Sequence, residues 1–279
     1  MRSGYVAIVT DSAADVPAVL CDALNITVVP NIVIVGEESF EDDVNFSRED
    51  FYDNLPKMRP LPTTATPSIG KYQQTYETLL QAGASSVLSI HTSGSLSGIL
   101  NAASTAAQDF AGRVRMFDSQ FLTLGLGFQC IELAEAAKGG LTIDQVENLA
   151  KQTRQKARVI AMLDTLNYVH RSGRVSWTKA HIGNLLRLKP FIQVKDGLVF
   201  SLGETRTRQK GINRLLELIR NQGPMKRLAI LHTNAENDAR RLLAELNPDI
   251  PTSPLIINIT TVIGTHVGPN GLGFAGMVK

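Results

Sequence analysis

The stretch Tyr5-Val6-Ala7-Ile8-Val9-Thr10 runs directly into Asp11-Ser12-Ala13-Ala14-Asp15, and this junction decides the fold class. An uncharged run rich in β-branched residues reads as a strand covered on both faces. Ser12 is then expected to cap a helix, with Asp15 in its first turn. Strand, turn and helix make the first unit, and the following sequence repeats that grammar. Strands are predicted at Ile26 to Val35, Ser86 to Ile90 and Arg113 to Phe117. Helices are predicted at Pro67 to Leu80, Leu96 to Phe110 and Leu122 to Ala137, and from a Thr142 cap to Lys156. Acidic, polar sequence from Glu37 to Asp43 and the Pro56–Pro62 stretch read as exposed connection. The alternation predicts a doubly wound parallel sheet.

After Arg158 the pattern changes. Phe191 to Val194 and Leu198 to Phe200 are joined through Lys195-Asp196-Gly197, an Asp-Gly hairpin signal that the first half lacks. Helices at Arg208 to Asn221 and Glu236 to Leu246 alternate with strands at Arg227 to Leu231 and Leu255 to Val262. The expectation is a two-domain α/β chain: residues 1–157 as a parallel-sheet domain and 158–279 as a mixed α/β sheet domain.

Composition agrees with a globule. Of 279 residues, 43% are hydrophobic and 19% charged, which excludes disordered and fibrous classes. No uncharged apolar run is long enough for a bilayer span, and the first residues lack an export pattern, so a cytoplasmic protein is expected. Cys21 and Cys130 fall in helical patterns without metal or redox spacing and read as reduced, buried hydrophobes. A net charge of +2 does not drive nucleic-acid binding.

Three motif matches fail on context. Gly271-Leu272-Gly273-Phe274-Ala275-Gly276 has the letters of a dinucleotide loop, but no helix follows it. Gly70-Lys71 lacks the first P-loop glycine, and Gly94 and Gly98 bracket Leu96 where a nucleophile elbow needs serine. The five histidines show no paired ligand spacing, so neither a metal nor a cofactor is expected.

Hydroxyl groups and glycine concentrate in three polar segments, expected as loops: Thr63 to Ser68, Thr92 to Gly98 and Gly264 to Gly271. The first two each open a helix, where free N–H groups and the helix dipole suit an anion. Neither contains Lys or Arg between Thr63 and Gly70 or between Thr92 and Gly98, which favours a carboxylate over a tightly held phosphate. Taken singly, each segment is equally readable as ordinary caps and turns.

In order along the chain stand Val9-Thr10-Asp11-Ser12, Thr64-Ala65-Thr66-Pro67-Ser68, Leu96-Ser97-Gly98, Ser172-Gly173-Arg174, Leu188-Lys189-Pro190 and Thr265-His266-Val267-Gly268. Together they resemble the DegV family over essentially the whole chain. The resemblance implies a long-chain fatty acid such as palmitate held between two domains, and a role as the lipid-presenting, non-catalytic subunit of a bacterial ATP-dependent fatty-acid kinase. It implies Thr64, Ser97 and His266 at the carboxylate, with Ser93 contributing, and Arg174 in docking of the kinase. Transient contact with a membrane surface belongs to the same expectation. Gly94, Ala65 and Thr66 depart from the family's usual residues, which leaves the details of the headgroup set open. Arg174 is also readable as a cation favoured near a helix C-terminus. His91 and His232, at strand ends, read as structural. Two other functions remain open from the residues: an esterase with Ser97 as nucleophile and His266 as base, and a lipid sensor acting through protein contacts.

Overall fold

The computed structural model describes residues 4–42, 47–175, 188–246 and 253–279. The first half runs β1 (Tyr5–Asp11), α1 (Ala18–Leu24), β2 (Ile26–Val29), β3 (Ile32–Val35), β4 (Glu38–Glu41), α2 (Arg48–Asn54), β5 (Thr63–Ala65), α3 (Ile69–Gln81), β6 (Ala84–His91), α4 (Ile99–Ala107), β7 (Val114–Asp118), α5 (Thr123–Lys138) and α6 (Ile143–Lys156). The second runs β8 (Ala157–Met162), α7 (Asn167–Ser172), β9 (Lys189–Lys195), β10 (Leu198–Thr205), α8 (Arg208–Arg220), β11 (Met225–His232), α9 (Glu236–Leu246), β12 (Leu255–Asn258), α10 (Thr261–Val267) and β13 (Leu272–Val278). Two compact units result. One comprises Met1–Ile32, Ala65–Ala157 and Asp196–Leu198, the other Val33–Thr64, Arg158–Lys195 and Val199–Lys279. Val33–Thr64, read in sequence with residues 1–157, thus groups with the second unit, where β3, β4 and β5 form a sheet of their own.

The first unit holds the expected doubly wound parallel sheet, in the order β2-β1-β6-β7. Val9 pairs with Thr27 on one side and Ser89 on the other. Tyr72 and Tyr76 of α3 and Ile99 and Ala103 of α4 pack on Val9 and Val87 of the sheet, all buried. α5 is buried on nearly its whole circumference, in keeping with its mostly apolar sequence. Thr142 caps α6 in a full capping box with Gln145.

Two expectations fail close to β1. Ser12 does not cap a long helix: the Asp11 side chain accepts the Ala13 N–H and starts a single 3-10 turn, Ser12–Ala14. Asp15 ends that turn in the left-handed region, at φ 55°, and α1 begins only at Ala18. The Ser12 hydroxyl instead accepts the Asn31 N–H, at 3.1 Å. The expected single strand from Ile26 to Val35 is broken at Pro30-Asn31 into β2 and β3, which join different sheets. A proline has no N–H to continue a ladder, and Asn31 turns inward to Asp11.

The second unit has a six-stranded mixed sheet in the order β10-β9-β8-β13-β11-β12. β8/β9 and β11/β13 are antiparallel and β11/β12 parallel. The β9–β10 turn places Asp196 and Gly197 at φ 50° and 78°, the two positive values of a type I′ hairpin. Ile160, Phe191, Leu215, Ile230, Leu242 and Phe274 form the core between this sheet and its helices. The Gly271–Gly276 stretch lies largely in β13 and opens no phosphate-binding helix. Several elements escaped the sequence reading: β4 within the acidic stretch, whose last residue Asp43 lies outside the described residues; α2, capped by Ser47; β5, in a segment expected as loop; and β8 and β13. The expected strand Leu255 to Val262 stops at Asn258, and Thr261–Val267 is helical rather than loop. Among the described residues no helix is long and apolar enough to cross a membrane.

Candidate functional site

Residues far apart in sequence build the site in the second unit. β5 carries Thr64 and α10 carries His266. The start of α10 is fastened from below: the buried Asp42 carboxylate accepts the hydroxyls of Thr260 and Thr261, and Tyr52, 1% exposed, donates to the Ile259 carbonyl at 2.9 Å. Gly264 lies so close to Tyr52 that any Cβ would collide with its ring and hydroxyl. At the other end Gly268 takes φ 79°, and the Tyr168 ring of α7 fills the space where a side chain would stand. α10 is therefore held at both ends, and the His266 position with it.

Across from it, Thr64 Oγ1 and His266 Nε2 are hydrogen-bonded at 3.0 Å. They border an open pocket of about 200 Å³, lined by Leu61, Pro62, Thr63 and Thr64, by Tyr168, Arg171, Ser172 and Arg174, and by Thr265 and His266. Burial, with the positive charge of Arg174 as a smaller cause, pushes the His266 imidazole down to about 4. At neutral pH the ring is uncharged and has one N–H. If Nε2 carries that proton and donates to Thr64, the Thr64 hydroxyl is left to donate to a bound anion. The pocket is not without charge: the hydroxyl segments hold no Lys or Arg, but α7 and the residues after it bring two guanidinium groups to it.

Ser93 and Ser97 belong to the first unit, on the loop between β6 and α4. Ser93 is fully buried, and its hydroxyl donates to the Gly197 carbonyl at 2.8 Å. Ser97 is half-buried; its N–H donates to the Ser93 carbonyl at 3.1 Å, and its Oγ accepts the Ile99 N–H at 3.4 Å. Ser68 caps α3, as the helix-opening reading requires, whereas the α4 N-cap is Gly98, without a side-chain bond. Arg174 follows the α7 C-cap Gly173, which has φ 66°.

A general base works best with a pKa near the operating pH, and His266 is far below it. Its ring partner among the described residues is Thr64, not a carboxylate that would orient it. A Ser–His–Asp chain does exist in the first unit, with Ser89 Oγ 2.7 Å from His91 Nε2 and His91 Nδ1 donating to Asp11 at 3.0 Å. All three residues are 0% exposed, and Ser89 is also bonded to Tyr76, so no substrate reaches that serine. His232 accepts the Ala235 N–H at the start of α9. Cys21 and Cys130 are buried free thiols.

Sequence reasoning missed Tyr52, Asp42, Tyr168 and Arg171. A signal for the aromatic pair was present in Gly264 and Gly268, since closely spaced glycines around a short element mark positions where another group comes close.

The chain is thus a mixed α/β fold with a parallel sheet, a mixed sheet and a small third sheet, and a hydroxyl–imidazole pair borders its pocket. Residues 5–278 match the family described as "Uncharacterised protein, DegV family". The chain belongs to the DegV family. A DegV domain-containing protein of Streptomyces coelicolor is 33% identical, the match covering 97% of this chain and 98% of that protein. The structure of a DegV family protein from Thermus thermophilus, described by its fatty acid binding, superposes with a TM-score of 0.89 at 29% identity, covering 99% of this chain and 100% of that one. DegV of Bacillus subtilis, described as a fatty acid binding protein, gives 0.88 at 31% identity with the same coverage.

Proposed function

We propose that this protein binds a long-chain fatty acid and presents its carboxylate to a separate ATP-dependent kinase that forms the acyl phosphate, and that the chain is not itself the phosphotransferase. The observation that carries the binding reading is the Thr64–His266 pair facing a pocket with Arg171 and Arg174. The fatty-acid-binding descriptions of the Thermus thermophilus and Bacillus subtilis proteins support the choice of ligand. Thr64 and His266 hold the headgroup. Ser97 enters as a headgroup residue, and Arg174 as a kinase-docking residue, on the family resemblance; Ser93, fully buried with its hydroxyl donated to the Gly197 carbonyl, supports the loop rather than the ligand. A tail of roughly fifteen methylenes, at about 0.8 kcal/mol each, gains on the order of 10 kcal/mol before association costs. The tail therefore dominates affinity, and the headgroup residues satisfy and orient the carboxylate.

Mass spectrometry of organic extracts of the purified protein tests the binding step. One long-chain fatty acid per chain is expected. Lipid-free protein that also fails to take up added palmitate or oleate would overturn the reading. The presenting role is tested by adding a fatty-acid kinase and ATP to the loaded protein: acyl phosphate is expected with wild type, and its absence with a kinase active on another carrier would contradict it.

A further inference from the structure

In the first unit β1 has β2 on one side and β6, then β7, on the other, so the chain leaves the β1 and β6 carboxyl ends in opposite directions. Open parallel sheets commonly bind ligand at that point. Here the chain's own carboxylate fills it. Asp11, the last residue of β1, is 0% exposed. Its Oδ1 accepts the Ala13 N–H at 3.1 Å, the Asn31 amide at 3.2 Å and the Thr92 hydroxyl at 3.0 Å. Its Oδ2 accepts the Thr92 N–H and His91 Nδ1–H, both at 3.0 Å. His91 is backed by Ser89 and by the edge-on Tyr72 ring, 5.3 Å away.

We propose that Asp11 is the positioning residue of the hydroxyl loop Thr92–Ser97, a resident anion that sets where Ser93 and Ser97 stand. Two of its five bonds fix Thr92, the residue before Ser93. From there the turn is continuous: the Ser93 N–H donates to Phe121, its hydroxyl donates to Gly197, and its carbonyl accepts the N–H groups of Leu96 and Ser97. The chemistry requires a carboxylate. Every group around Asp11 donates, so an amide would turn its NH₂ against another donor and leave that donor unpaired. The effect on ligand rests on the proposed headgroup role of Ser97; the effect on the loop does not.

The test uses the full chain loaded with carboxyl-labelled palmitate and followed by NMR. In D11N the Ser93–Ser97 amide resonances are expected to move, and the bound carboxyl resonance to move as it does in S97A, with no further movement in the D11N/S97A double variant. A folded D11N with both sets of resonances at wild-type positions would overturn the proposal. If S97A alone leaves the carboxyl resonance unmoved, the headgroup role of Ser97 fails, and the amide resonances decide the positioning role by themselves. Should D11N not fold, T92V and T92S replace it: movement in T92V with return to wild-type positions in T92S supports the proposal, and an unmoved loop in T92V overturns it.

Discussion

At Thr64 and His266 an uncharged hydroxyl and an uncharged imidazole meet, and the acid–base behaviour of the ring follows from its burial. Its folded pKa of about 4 lies below the ordinary 6.5. Between those values the unfolded chain binds a proton that the ligand-free folded chain does not, so stability falls as pH falls through that window and is unaffected by this group above it. The limiting loss is about 3 kcal/mol. In delipidated protein, urea unfolding at a series of pH values should show H266Q with a flatter acid limb than wild type; identical limbs would contradict this origin. Thr64 makes a different kind of contribution. Because the tail supplies most affinity, T64A should weaken palmitate binding by no more than about tenfold, equivalent to 1.4 kcal/mol, while slowing phosphorylation of the bound lipid. A far larger affinity loss in calorimetric titration, with phosphorylation per bound lipid unchanged, would reverse that assignment.

At the scale of elements, α10 places His266, and its contacts make it sensitive to changes that never touch a ligand. G264A drives a methyl into Tyr52 and should cost about 1–3 kcal/mol of stability in urea unfolding. Y52F should cost about 1 kcal/mol or somewhat more, because the Ile259 carbonyl loses a buried donor. T142A, remote from the site, should cost about 1 kcal/mol through loss of the α6 capping box and leave lipid binding unchanged. The contrast separates fold stability from site geometry. It also shows what the sequence reveals. The Thr142 cap, the Asp196-Gly197 turn and the strands β1, β6 and β7 were legible because each depends on nearby residues. α10 was not: Leu255 to Val262 reads as one strand, and the bonds from Asp42 and Tyr52 that hold the start of the helix come from residues about 200 positions away. The break between β2 and β3 was hidden for the same reason, since the Asn31 amide donates to Asp11 twenty residues away.

Over the whole molecule the site draws on residues separated by about 200 positions, with Thr64 and His266 202 apart in sequence. Both were identifiable by family motif; their contact was not, because no local rule pairs a three-residue strand with a seven-residue helix. The same applies to Arg171, which reads as an ordinary helix-end cation until the pocket is seen. Two thiols report on the integrity of the fold. Burial pushes Cys21 up to about 11 and Cys130 up to about 12, so neither presents a thiolate at neutral pH. Native protein should resist thiol reagents, and both cysteines should react after unfolding in denaturant; rapid labelling of Cys130 in native protein would contradict the packing of α5. The claim that everything else serves is the placement of a fatty-acid headgroup, and a crystal structure of the protein with oleate tests it most directly. The account predicts the lipid carboxylate within hydrogen-bonding distance of Thr64 Oγ1, beside the His266 ring. Oleate bound with its carboxylate elsewhere, and those two side chains still paired only with each other, would contradict it.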